Sequence, residues 1–83
     1  METIIIELHV PACNGIFDFA LPAALQVSEV IREMIRTIET LGQNVTFLPE
    51  TTQLCDMDQY RILSAAITLA EQEVRDGSRL MLV

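Results

Sequence analysis

Two runs of alternating apolar and polar residues precede a single amphipathic helix in this chain. From Thr3 to Val10 every second residue is apolar, which is the period of a β-strand. The alternation breaks over Pro11–Gly15, whose Asn-Gly pair is typical of a tight turn with positive φ angles, and it resumes from Ile16 to Leu21. The two runs therefore predict a β-hairpin, which ends at Pro22.

The helix is predicted from a broad apolar stripe with three-and-four spacing. The stripe begins at Val27 and reaches Leu41, and charged residues fill the opposite side. Gly42 directly follows and suits a left-handed C-terminal cap. The stripe is wide enough to be buried on one face of the hairpin.

The remainder of the chain reads as short strands and turns. Segment 43–53 is polar and rich in threonine, and it leaves an irregular loop and an edge strand open as alternatives. Further along we predict a strand around Leu54 and Cys55, a turn over 56–59, a strand over 60–63, one helical or 3-10 turn over 68–71, a turn at Asp76–Gly77 and a last strand over 79–83.

This order of elements predicts an α+β fold of the ubiquitin-like β-grasp type. Such a fold has a mixed sheet with one main helix packed on one face. A right-handed crossover through the helix would place the last strand beside the first, at the centre of the sheet. The length of 83 residues suits a single domain over 1–83.

The charge balance excludes several classes of partner. Twelve carboxylates face five arginines, with no lysine, so the net charge is −7. Such a chain repels phosphate backbones, so nucleic acid is not expected as a partner. No apolar run reaches the ~18 residues needed to cross a bilayer, and no secretory signal is visible. We expect a cytoplasmic protein with no direct membrane insertion, in which Cys13 and Cys55 are free thiols.

No constellation of residues indicates catalysis, a cofactor or a metal. His9 lies on a strand without a positioned partner for general-base chemistry, so a solvated strand residue is expected. His9, Cys13 and Cys55 fall short of a four-ligand zinc set. Asp56 and Asp58 supply too few oxygens for calcium, and we expect a solvated turn there.

An acidic cluster around the last turn has two interpretations. It contains Glu71, Glu73 and Asp76, interspersed with Arg75 and Arg79. The cluster is either a self-neutralising surface or an electrostatic docking site for a basic partner.

The ordered pattern resembles ubiquitin, and it is more similar to the bacterial YukD/EsaB family of ubiquitin-like proteins. The ubiquitin register is kept at Leu69, Val74, Leu80 and Leu82. The family resemblance lies in Gly15–Leu25 (GIFDFALPAAL), Val27–Ile31 (VSEVI) and Thr68–Leu82 (TLAEQEVRDGSRLML), and the likeness covers the chain apart from 43–53. Ubiquitin ends in a mobile tail with paired glycines and carries several lysines, whereas this sequence ends at Val83 without either.

The resemblance implies a non-conjugating, non-enzymatic accessory protein of a type VII (WXG-type) secretion system of Gram-positive bacteria. Its implied partner is a protein of that machinery, either the membrane ATPase or another membrane subunit, which would recruit it to the membrane. A similar module is fused to membrane components in the actinobacterial version. Two alternatives remain open: a modifier or sulfur carrier with a processed or truncated tail, and a generic adaptor domain. Weak self-association through the sheet edges is also left open.

The side of the sheet away from the helix is the expected partner-binding surface. Alternation places Ile5, His9, Arg79, Met81 and Val83 there, with Cys55 of the third strand joining them. Ile5 and Met81 are expected to lie side by side. Scattered exposed apolar residues are ordinary on a surface, whereas a contiguous patch indicates a partner, and the sequence leaves both readings open.

Overall fold

The computed structural model describes residues 2–42 and 44–83. Its elements in chain order are β1 (Thr3–Val10), a 3-10 turn (Pro11–Cys13), β2 (Gly15–Pro22), α1 (Val27–Thr40), β3 (Leu54–Asp56), β4 (Arg61–Ile62), a second 3-10 turn (Ala70–Gln72) and β5 (Arg79–Leu82).

The strands form one mixed sheet in the order β2-β1-β5-β3-β4. β1 pairs antiparallel with β2 and parallel with β5, while β3 is antiparallel to both β5 and β4. The predicted β-grasp arrangement is confirmed, and β5 lies beside β1 in the middle of the sheet.

The core lies between the sheet and the apolar side of α1. Ile6, Leu8, Met34, Leu80 and Leu82 are at most 1% exposed, as the two periodicities predict. Phe17 and Phe19 point to the same side but are only half-buried, because β2 is an edge strand.

The predicted helix stripe is one position too long. Leu41 is 54% exposed, whereas Ile38 is fully buried. The helix ends at Thr40, and Gly42 adopts the predicted left-handed conformation with φ +76°. Leu41 is the C-cap residue, one position beyond the last residue of the helix, where the chain leaves the apolar side of α1.

The hairpin connection differs from the prediction at Gly15. Only Asn14 of the Asn-Gly pair has positive φ, at 53°, and it follows the 3-10 turn. Gly15 is required for space instead, because a Cβ there would lie 2.7 Å from the Phe17 ring.

For segment 43–53 the sequence predicts either an irregular loop or an edge strand, and the structure shows an irregular loop over residues 44–53. Gln43 lies outside the described residues. Val45 and Phe47 pack on the core from this loop. The Thr52 hydroxyl donates to the Leu48 carbonyl at 2.7 Å. Gln53 exchanges two backbone hydrogen bonds with Val83, of 2.7 and 2.9 Å, so the loop joins the sheet only at its end.

Candidate functional site: the open face of the sheet

The side of the sheet opposite α1, here called the open face, carries the odd-numbered residues of β1 and β5. Strand alternation sends Ile5 to this side between the buried Ile4 and Ile6, and it is 53% exposed. Met81 likewise lies between the buried Leu80 and Leu82. Alternation alone therefore fixes which side chains a partner can reach.

One row of side chains crosses the open face through all five strands. The pairing register places five residues next to each other, and we call them the central row: Ile16, His9, Met81, Cys55 and Ile62. With strands about 4.8 Å apart, the row is about 19 Å long. Its two ends are the most accessible part, since Ile16 is 64% and Ile62 59% exposed. The row is a contiguous, mainly apolar strip.

A charged row runs beside the central row, one pleat away. Register places Glu7 between Asp18 of β2 and Arg79 of β5. The Glu7 carboxylate also lies 2.7 Å from His9 Nε2, which links the two rows. Apolar residues thus occupy one strip of the open face, and charged residues the strip beside it.

The β3–β4 end of the central row widens into an apolar hollow of about 580 Å³. Its lining includes Cys55, Met57, Tyr60, Ile62 and Met81. Tyr60 is 92% exposed and has a φ of 57°, a conformation that bulky residues rarely adopt. A turn that displays an aromatic ring in this way beside an apolar hollow has the composition of a contact surface for another protein.

Asp56 holds this turn in place, and for this residue the expectation of a solvated carboxylate is wrong, whereas Asp58 is exposed. The side chain is 1% exposed because it points to the helix side of β3. It accepts hydrogen bonds from the Asp58 and Gln59 backbone N–H groups, at 2.9 and 3.1 Å. Gln59 Nε2 donates to its second oxygen at 2.7 Å. The spacing of the two neighbouring carboxylates offers no indication of this internal cap.

Asp58 is exposed and fixes the start of β5. It accepts hydrogen bonds from the backbone N–H and the Nε of Arg79, both at 2.9 Å. The backbone N–H of Arg79, reinforced by its guanidinium, holds the pKa of Asp58 below its ordinary value. The same carboxylate raises the pKa of Arg79. The pair therefore stays ionised at neutral pH.

All six residues predicted for the partner surface lie on the open face, but they do not form one cluster. His9, Met81 and Cys55 are adjacent in the central row. Val83 lies beyond Met81, beside Gln53, and Arg79 belongs to the charged row.

Ile5 does not lie beside Met81, so the expected contact between these two residues is wrong. Met81 pairs with His9, four residues further along β1, at about 13 Å from the level of Ile5. Ile5 lies instead beside the last turn, where its carbonyl accepts the Gly77 N–H at 2.7 Å.

The sequence interpretation missed Ile16, Met57, Tyr60 and Ile62. Ile16 carried a usable signal, because it has the same parity as Asp18 on β2. Ile62 belongs to a strand of two residues, whose side cannot be assigned until its pairing with Cys55 is known. Met57 and Tyr60 lie in a turn, where alternation does not apply.

The two cysteines and the acidic cluster around the last turn are the remaining features that the sequence analysis singled out. Cys13 and Cys55 are free thiols, each half-buried. In the acidic cluster, Glu71 bonds the Thr68 hydroxyl at 3.0 Å, and Asp76 accepts the Ile5 N–H at 2.7 Å. These two carboxylates therefore have local structural roles.

Neither a metal-ligand cluster nor a membrane helix occurs within the described ranges. Over 2–42 and 44–83, no three His, Cys, Asp or Glu side chains are grouped as metal ligands. The same residues include no helix with the length and apolar character that crossing a bilayer requires.

Comparison with a known protein family gives one match that covers most of the chain. The profile of the family described as WXG100 protein secretion system (Wss), protein YukD, matches residues 5–82. A search of curated proteins by sequence found no match.

Solved structures support the fold. The chain is similar to ubiquitin from Caldiarchaeum subterraneum, with a TM-score of 0.76 and 20% identity over 98% of this chain and 91% of that one. It is also similar to the ubiquitin-like domain of EccD5 from Mycobacterium xenopi, with a TM-score of 0.70 and 23% identity over 100% and 94% of the two chains. At these identities the likeness establishes the ubiquitin-like fold.

Proposed function

Because the chain belongs to the YukD family of the WXG100 protein secretion system, we propose that it is an accessory protein of such a system, and that it acts by binding another protein through the open face. It functions as a single ubiquitin-like domain over residues 1–83, without conjugation and without enzymatic activity. The partner is a protein component of the machinery, the membrane ATPase or another membrane subunit.

The observation that carries this proposal is the continuity of the central row. Ile16, His9, Met81, Cys55 and Ile62 are cross-strand neighbours, so a partner would cover them together. Burying one exposed isoleucine or methionine side chain contributes about 1.5–3 kcal/mol before ordering costs. Two or three such residues with the Tyr60 ring supply the anchors of an ordinary protein interface.

The charge of the chain supports contact with protein rather than with lipid. At a net charge of −7 the surface is repelled by anionic headgroups, so the protein would reach the membrane only through its partner and otherwise stay in the cytoplasm. The lysine-free sequence also offers no side-chain amine for an isopeptide bond, so the chain would not accept a modifier at a lysine.

One of the similar structures agrees with this assignment. It is a ubiquitin-like domain of EccD5, so in that protein the module is one domain of the chain.

The experiment compares two double variants in cells that contain the secretion system. Ile16→Glu with Ile62→Glu places a charge at each end of the central row. Leu41→Glu with Leu48→Glu is the matched control, since those leucines are 54% and 57% exposed and belong to none of the five strands. Thermal unfolding first establishes that both variants remain folded.

Two readouts are then compared with the wild type. We expect the Ile16/Ile62 variant to lose co-purification with the detergent-solubilised membrane components and to lower secretion of WXG-type substrates. The control should keep both. Equal behaviour of the two variants would show that the open face is not the docking surface.

A further inference from the structure

The two edges of the sheet are unlike. At one edge β4 has only two residues, a length that offers little backbone to another strand. At the other edge β2 has eight residues, Gly15–Pro22, with proline only at its last position. A long edge strand without internal proline is a template for strand addition.

The hydrogen-bond register shows which backbone groups of β2 are free. The Ala23 N–H donates to the Glu2 carbonyl at 2.9 Å, which continues the pairing of β2 with β1. Because hydrogen-bonded pairs alternate in an antiparallel ladder, Phe17, Phe19 and Leu21 bond to β1. The N–H and C=O groups of the intervening residues, Ile16, Asp18 and Ala20, then point away from the sheet. Within the described ranges no loop or side chain bonds to them.

A groove between this edge and α1 lies where alternate side chains of an added strand would point. Its volume is about 580 Å³, and its lining includes the half-buried Phe19 and Leu25. Arg32 and Arg36 form part of its helical rim. Apolar side chains of an added strand would bury against Phe19 and Leu25.

The opposite side of β2 favours a cation. Asp18 is exposed and forms no ion pair with the described residues. Its cross-strand neighbour is Glu7, and the two form a non-hydrogen-bonded pair, in which side chains approach most closely. Like charges in this position are unfavourable. A basic residue added on the free side of Asp18 would relieve that repulsion.

We propose that the β2 edge is a second protein-binding surface, which takes an extended, basic segment of another protein as a sixth strand. Every second residue of the added strand forms backbone hydrogen bonds with the free groups of Ile16, Asp18 and Ala20, and one of these residues is a lysine or arginine that lies beside Asp18. The intervening residues of the added strand are apolar, and their side chains enter the groove over Phe19. A second copy of this chain is disfavoured, because the antiparallel register that pairs the free groups of Ile16, Asp18 and Ala20 of two copies places Asp18 opposite Asp18, and each copy carries a charge of −7.

The test uses amide hydrogen exchange measured by NMR, with two capped seven-residue peptides as probes. One alternates valine with lysine and the other valine with glutamate. With the lysine peptide at saturation, the outward amides of Ile16, Asp18 and Ala20 should exchange about tenfold more slowly. The inward amides of Phe17 and Phe19 serve as the internal reference, since the ladder protects them already.

Three variants locate the effect. Ala20→Pro removes one outward N–H without breaking a bond to β1, and Asp18→Lys reverses the charge; both should abolish the protection while thermal unfolding shows a folded chain. Ile62→Glu, on the open face at the other edge, should leave the protection intact, which separates this surface from the one above.

Each remaining outcome would overturn the proposal. Equal protection by the two peptides would contradict the charge preference. Protection confined to the amides of Met81, Cys55 and Ile62 would place the peptide on the open face. Concentration-dependent dimers that Ala20→Pro dissolves would identify a second copy as the occupant.

Discussion

Replacing Asp56 by alanine should destabilise the fold more than any other change to a carboxylate on the turn or the β2 edge. Its side chain is 1% exposed and accepts three hydrogen bonds, two from backbone N–H groups and one from Gln59 Nε2. A hydrogen bond to a charged acceptor contributes about 1.5–3 kcal/mol. The donors belong to exposed residues that water can partly rehydrate once the carboxylate is removed. The three hydrogen bonds together therefore contribute about 2–4 kcal/mol to the free energy of unfolding, which is less than the sum of three separate contributions.

That loss is large for a chain of this size. At about 0.05–0.15 kcal/mol per residue, a domain of 83 residues has a total stability of about 4–12 kcal/mol. With a urea m-value of about 1 kcal/mol/M, the midpoint should fall by about 2–4 M. The assay is equilibrium unfolding in urea, followed by far-ultraviolet circular dichroism.

Two further variants separate the hydrogen bonds from the loss of a carboxylate. Asp56→Asn keeps one oxygen for the backbone N–H groups but turns an amide toward Gln59 Nε2. It should therefore lower the free energy of unfolding by about half as much as Asp56→Ala does. Asp18→Ala removes an exposed carboxylate and should stay within about 0.5 kcal/mol of the wild type. If Asp56→Ala costs less than about 1 kcal/mol, the turn does not depend on this cap and the reasoning is refuted.

Two more predictions concern the same corner of the sheet. Tyr60→Gly should raise the free energy of unfolding in urea by about 0.5–1 kcal/mol, because glycine adopts the φ of 57° without strain. The same variant should weaken capture of the partner. A destabilised variant would mean that the ring contributes more to packing than its exposure suggests. The lowered pKa of Asp58 means that its bonds to Arg79 stabilise the fold above the pKa of the unfolded chain, and that this contribution is lost as the pH falls through the lower pKa of the folded chain. An NMR titration should therefore find Asp58 protonating at lower pH than an ordinary aspartate. Arg79→Gln should reverse only part of the lowering of the Asp58 pKa, since the backbone N–H of residue 79 remains. A wild-type Asp58 that titrates like an ordinary aspartate would contradict the geometry.

The central row shows what local pattern can and cannot supply for the site. Period-two alternation correctly placed His9, Met81 and Cys55 on the open face, because side-chain direction along a strand is a local property. The same rule could not say that Met81 is level with His9 rather than with Ile5. That relation depends on the offset between β1 and β5, which β5 acquires only after the chain has passed through α1, the long loop and β3.

The Asp56 turn gives a second case. The sequence contains two carboxylates around Met57, and their spacing suggested a solvated turn. One is buried under three donors, while the other is exposed and bound to a strand 21 residues away. Their different fates follow from the register of β3 against β5, because that pairing directs Asp56 toward the core side.

The sequence by itself determined the order of elements, the hairpin, the apolar side of the helix and therefore the β-grasp fold, since periodicity and turn chemistry act over a few residues. Only the tertiary structure decided which residues from five strands became neighbours, where the helix stripe stopped being buried, and which sheet edge was left long and unpaired. Those outcomes depend on the alignment of segments distant in sequence, and small shifts in that alignment leave every local pattern unchanged.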